Sequence, residues 1–159
     1  MSTEYMKIAR TAATLFAASI ALGACQNAED KQSSLEAANL EKAIYCMELL
    51  EKHLDIERAD RECFGETYVQ HTPWVADGRE AVIAAFTNRV QKNPALNIDI
   101  KRTAADGDLV WIHGHVKATP DALGSAVVNI FRMEDGKFVE HWNVVTPVPE
   151  ESLNDNTMF

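Results

Sequence analysis

The sequence has no Gly-rich phosphate loop, no closely spaced cysteine pairs of the zinc-binding kind and no internal repeat. Those absences remove phosphate-cradling loops, structural zinc modules and solenoids from consideration. Positive charge is also scarce: 15 Lys and Arg stand against 24 Asp and Glu, for a formal net charge of −9. A surface of that sign repels phosphate backbones, so no nucleic acid is expected as a partner. Long hydrophobic runs are missing too. The apolar stretch "TAATLFAASIAL", residues 11–22, is too short to cross a membrane comfortably as a permanent helix. What is present is ordinary for a globular chain: 159 residues suit one domain, with 47% hydrophobic and 25% charged residues.

The amino-terminal segment reads as a processing signal rather than as fold. Lys7 and Arg10 give a short basic region, the apolar stretch follows, and it ends in "LGAC", Leu22 to Cys25. Small residues just before a cysteine resemble the lipobox of bacterial lipoproteins, in which cleavage precedes the cysteine and the cysteine is acylated. The resemblance implies a signal peptide over residues 1–24, lipidation at Cys25 and contact with the membrane through that lipid alone. The expected location is the bacterial cell envelope, at the periplasmic face of the outer membrane, because Gln26 rather than Asp follows Cys25. Residues 25–34 carry "QNAEDKQSS" after the cysteine, polar and without periodicity, and read as a flexible tether. Cys46 and Cys63 remain; outside the cytoplasm they form either a disulfide or two small buried hydrophobes, and spacing does not choose between these.

Periodicity divides the rest, a domain over 35–150 with a short tail at 151–159. Leu40, Ala43, Ile44, Met47, Leu50 and Leu54 recur at helical spacing, with one buried face. Asp55 or Asp60 opens a second short helix ending near Phe64 and Gly65. "ETYVQHTPW" is too short and too limited by proline for a helix. A third helix, "REAVIAAFTNRVQKN", is opened by Asp77 and Gly78 and closed by Pro94. Beyond Pro94 the period becomes two: "LNIDIKRTAA", "DLVWIHGHVKA", "SAVVNIFRME" and "KFVEHWNVVTPV" read as four strands, with Asp-Gly turns at 106–107 and 135–136. Helices followed by a meander predict an α+β fold, with the amino-terminal helices packed on one face of a curved antiparallel sheet.

The stretches "YVQHTPWVADGREAV", "DLVWIHGHVK" and "VVNIFRMEDGKFVEHWNVVTPVPE" resemble the SnoaL-like polyketide cyclase family of the nuclear transport factor 2-like superfamily. The resemblance runs from about Leu35 to Glu150. It implies a cone-shaped sheet enclosing an apolar pocket, a homodimer formed through the outer face of the sheet, and a small apolar organic ligand. No cofactor is implied. The family pattern has Asp where this chain has Asn129 ("NIFR") and again where it has Asn143 ("HWN"). SnoaL-type cyclases use a pocket aspartate as general acid/base, and a carboxamide does not exchange that proton at neutral pH. Either the activity is absent or another group carries the proton.

Three readings follow. In the first, His113, His115 and His141 take over acid/base work, with Asn129 and Asn143 donating to an enolate oxygen. The reactions would be of isomerase, cyclase or dehydratase type. In the second, the pocket binds a ligand without turnover, or the domain is an interaction module. His71, Trp74, Trp111, Phe131 and Trp142 would line the pocket in either case. In the third, His113 and His115 join His71 or His141 around a metal, but no carboxylate or cysteine nearby supports such a set, and no metal is expected. Periodicity alone does not establish that His113 and His115 face inward. The plainer alternative for each residue is packing: Arg132 and Glu140 as a surface pair, Trp111 as core.

Overall fold

The computed structural model describes residues 3–159, with side chains from residue 27 onward; the acylation site expected at Cys25 lies outside these described side chains. The chain forms two compact units, residues 1–35 and 36–159. In the first, the helix α1 (Thr3–Glu51) begins. Its residues 27–35 are helical and exposed, over the stretch that reads as a tether. No described helix is long and apolar enough to cross a membrane.

The second unit holds the fold. Its part of α1 buries Ala43, Cys46, Met47, Leu49 and Leu50 together with the polar Asn39 and Glu51, while Leu40 and Ile44, expected on the same face, are half-buried. Helix α2 (Ile56–Cys63) starts at Asp55, whose carboxylate accepts from the Arg58 amide at 3.1 Å. A disulfide joins Cys46 to Cys63, with Cα atoms 5.7 Å apart, and both residues are fully buried. Helix α3 (Arg79–Lys92) follows Gly78, which holds φ +96°, a region open to glycine at little cost. Asp77, expected to open this helix, instead accepts from the Gln70 amide at 2.8 Å.

The sheet has five strands: β1 (Phe64–Gln70), β2 (Asn97–Asp106), β3 (Leu109–Lys117), β4 (Ser125–Glu134) and β5 (Lys137–Pro147). Their order is β1-β5-β4-β3-β2. The antiparallel meander appears as expected, with Asp135 and Gly136 both at positive φ in a tight turn between β4 and β5. The correction is β1, which pairs parallel with β5 and makes the sheet mixed. A parallel neighbour arrives through a long crossover, so nothing in the local pattern of "FGETYVQ" announces it.

On β3, Val110, Ile112 and Val116 are buried on the helix-covered face, while the odd-numbered residues turn the other way. On β4, Val127, Asn129, Phe131 and Met133 are buried. A register shift between Arg132 and Met133 changes the alternation on β5, so Phe138 and His141, three residues apart, are both buried. Strict alternation from Phe138 would have turned Glu140 inward instead.

Candidate functional site

Between the helices and the inner face of the sheet lies a cavity of about 500 Å³. Its apolar walls come from all layers: Met47 and Leu50 of α1, Val82 and Phe86 of α3, and Val116, Val127 and Phe131 of the sheet. Trp74 stands at the cavity's edge, 70% exposed.

The polar lining of the sheet wall is a short network. Asn129 and Asn143 are direct cross-strand partners, and Phe131 is paired with His141 in the same way. Gln70, on β1, is the parallel partner of His141. His141 Nδ1 lies 2.9 Å from Gln70 Oε1, and its Nε2 lies 3.0 Å from Asn129 Oδ1. The ring stacks on Phe131 at 4.7 Å. Burial, helped by the charge of His71, pushes the pKa of His141 down to about 4, so the ring is neutral at pH 7.

A neutral imidazole has one N–H and one lone pair. Gln70 Oε1 already accepts from the Thr72 amide at 3.1 Å, which fixes it as an oxygen. His141 therefore donates from Nδ1 to Gln70 and accepts at Nε2. The Asn129 amide is then assigned with its N–H toward His141, since amide oxygen and nitrogen are interchanged by rotation. Thr72 Oγ1 donates to Asn143 Oδ1 at 3.0 Å, and the Asn143 N–H groups have no hydrogen-bond partner among the described residues. Tyr68, also in the lining, is buried, and its phenol is held well above the usual range by that burial.

The helical wall adds a group that the sequence reading missed. Glu51 lines the cavity at 4% exposure, and the Arg89 guanidinium of α3 donates to its Oε1. Its Oε2 is buried without a hydrogen-bond partner among the described residues. Burial pushes this carboxyl's pKa up, against the opposing pull of Arg89. A sequence signal existed: Glu51 falls four residues after Met47 and directly after Leu50, on the apolar stripe of α1.

The expected residues divide. Asn129, His141, Asn143, Phe131 and Trp74 line the cavity, while His113, His115, His71, Trp111 and Trp142 do not. The reason is strand parity. His113 and His115 alternate with the buried Ile112 and Val116 and so occupy the outer face. There Phe159, the last residue, stacks on His115 at 4.2 Å and on His113 at 6.0 Å. His115 Nε2 also reaches the Leu123 carbonyl at 2.7 Å, and His113 lies 3.1 Å from Arg102. His71 stacks on Trp142 at 4.7 Å and bonds Glu140 at 2.8 Å. Glu140 in turn pairs with Arg132 at 2.8 Å, the cross-strand pair expected from sequence. Four imidazoles around one cavity thus become one. The nitrogen set drawn from His113, His115 and His141 does not assemble, because the first two and the third lie on opposite faces.

Helices laid on a curved, unclosed mixed sheet with a cavity between them define an α+β cone of the nuclear transport factor 2-like class. The chain belongs to the SnoaL-like domain family, whose model matches residues 46–141. Solved structures of similar fold include TsrD from Streptomyces laurentii, at 19% identity and TM-score 0.57, over 68% of this chain and 88% of that one. A candidate polyketide cyclase from Bacillus cereus has 19% identity and TM-score 0.58, over 68% and 74%. A candidate ketosteroid isomerase from Kribbella flavida has 15% identity and TM-score 0.59, over 75% and 85%. No curated protein matches the chain.

Proposed function

We propose that this SnoaL-like domain performs acid/base chemistry of the isomerase or cyclase type on a small, largely apolar organic molecule held in the cavity. The observation that carries this reading is the row Asn129, His141 and Asn143, neutral hydrogen-bonding groups set in an otherwise apolar wall. An apolar body fills the aromatic and aliphatic surface while a carbonyl oxygen meets the amides. Asn143 is the donor to a developing enolate oxygen, since its bond from Thr72 leaves the N–H groups free. His-based chemistry narrows to His141, which acts as a neutral ring that fixes Asn129. Structures of the same fold described as a candidate cyclase and a candidate isomerase support the same class of reaction.

The test uses the purified full chain and 2-tetralone, an apolar ketone with acidic α-hydrogens, in deuterated buffer. Proton NMR follows loss of the α-hydrogen signals. Exchange faster than in buffer alone supports the reading. Ketone that binds without accelerated exchange points to the second reading, a binding module without turnover. That reading is favoured by the engagement of both His141 nitrogens and by amides at two positions where the family has Asp.

Acylation of Cys25 and tethering at the periplasmic face of the outer membrane belong to the same proposal. They are supported by the small residues before Cys25, by Lys7 and Arg10, and by Gln26. Expressing the full precursor in bacteria fed an alkynyl fatty acid gives the test: label is expected on the wild type and absent from Cys25→Ser. Association of two copies through the outer sheet face is read out by analytical ultracentrifugation of the soluble domain.

A further inference from the structure

Asn129 and Asn143 carry no ionisable oxygen, and both nitrogens of His141 are already engaged. Proton transfer in the cavity therefore needs another group. Glu51 is the one carboxyl among the described lining residues. It stands at the end of α1, nine-tenths or more buried, with Arg89 on one oxygen and nothing on the other. Buried polar atoms are nearly always satisfied, and a bare carboxylate oxygen is a cost to folding. A leucine at this position would complete the apolar stripe without that bare oxygen. Burial also favours the protonated form over the ionised one. A carboxylate in that state is a stronger base than one in water, and its conjugate acid survives closer to neutral pH.

We propose that Glu51 is the catalytic base and acid of this cavity, and that Arg89 is a positioning residue that orients its carboxylate. The assignment rests on the proton-transfer reading above and names the group that carries it out. The substrate class is a neutral, apolar carbonyl compound with an acidic hydrogen on the adjacent carbon and a carbon–carbon double bond one position further on. Glu51 takes that hydrogen as a proton, and the C–H electron pair becomes the C=C bond of an enolate. The carbonyl π pair moves onto oxygen, where the Asn143 N–H groups receive the charge. The protonated Glu51 returns the same proton to another carbon of the conjugated system, and the carbonyl re-forms. Isomerisation by this route needs no further reactant. Arg89, fixed on Glu51 Oε1, leaves the second oxygen as the proton carrier.

The test again follows α-hydrogen exchange of 2-tetralone in deuterated buffer, with the full chain and the variants Glu51→Gln, Glu51→Asp and Arg89→Met. Glu51→Gln is expected to lose about 100-fold or more of the exchange rate, the usual scale for removing a general base. It should bind the ketone within a few-fold of wild type and unfold at the same or a higher temperature. Glu51→Asp keeps the carboxyl and should retain partial activity. Arg89→Met should move the rising limb of the pH–rate profile to higher pH, because Glu51 loses the cation that favours its ionised form. Infrared difference spectra across that limb should show a protonated carboxyl band that Glu51→Gln lacks. Full exchange by a folded Glu51→Gln variant overturns the assignment and leaves the proton-transfer reading standing. Wild-type protein that binds the ketone without exchange overturns both. If Glu51→Gln fails to fold, retained wild-type exchange in Glu51→Asp with an unmoved pH limb overturns the assignment equally.

Discussion

Asn129 of β4 and Asn143 of β5 face each other across adjacent strands, and both line the cavity, yet they serve different partners. Asn129 is spent on His141, whereas Asn143 is held by Thr72 through its oxygen alone. The pair is therefore not symmetric. Asn143 is the amide with donors to offer a bound carbonyl, and Asn129 is the amide that keeps a neutral ring in place.

That asymmetry predicts the sign of a single substitution. Asn143→Asp removes both N–H donors and places a negative charge beside the Thr72 hydroxyl. The exchange rate of 2-tetralone is expected to fall about 100-fold, the scale found when one donor to a developing oxyanion is lost. A rise in rate would instead mark position 143 as the vacated seat of a family aspartate. Steady-state rates at several ketone concentrations separate loss of binding from loss of rate.

His141 makes stability depend on pH in a stated direction. Its pKa is near 4 in the fold and near 6.5 when unfolded, because burial disfavours the charged ring. The unfolded chain thus binds more protons between those values, and stability falls as pH drops through that window. The full contribution, roughly 3 kcal/mol, is present above pH 6.5. Glu51 runs the other way. Its raised pKa means that the fold is favoured at low pH and loses that advantage as pH rises. Urea denaturation of wild type and His141→Gln at pH 7 and pH 4.5 isolates the first effect. The wild type should lose more stability on acidification than the variant does.

The sequence carried the helices through their 3.6-residue spacing and the meander through period-two alternation, which is strong in β3 and β4, while the inward row of Asn129, His141 and Asn143 followed from the family resemblance. It could not say which parity of β3 faces in. Ile112 and Val116 are apolar, but so is Trp111, and two histidines beside a tryptophan look as much like a pocket as like an outer face. The parity of β5 was hidden further by the register shift near Arg132, which lets Phe138 and His141 share a side. Strand β1 escaped notice because its partner lies more than sixty residues away. Glu51 was passed over because a lone acidic residue near a helix end ordinarily reads as solvated, although its place on the stripe said otherwise.

The Cys46–Cys63 bridge closes a loop of 17 residues and ties α2 to the part of α1 that ends in Glu51. Chain-entropy reasoning puts such a loop at about 3 kcal/mol. Reduction, or the double substitution Cys46→Ala with Cys63→Ala, is expected to lower stability by that amount, seen as an earlier urea midpoint. The last turn of α1 should also loosen. Hydrogen exchange of the backbone amides of Leu49, Leu50 and Glu51 should quicken more than that of β3 or β4.

Phe159 lies across the two histidines of β3, with ring centroids 4.2 Å from His115 and 6.0 Å from His113. Lys101 adds a cation 5.7 Å from the same ring. The carboxy-terminal residue is thus held on the outer face by stacking, and an aromatic pair of this kind contributes roughly 0.5–1.5 kcal/mol. Phe159→Ala should cost no more than that in a thermal melt. The sharper readout is local: without the ring current of Phe159, the carbon-bound imidazole protons of His115 should shift strongly in the NMR spectrum. Those of His113 should shift less, and those of His141, on the other face of the sheet, should not move. A shift at His141 of equal size would mean that the tail reaches the cavity wall, and the division of the histidines between two faces would fail with it.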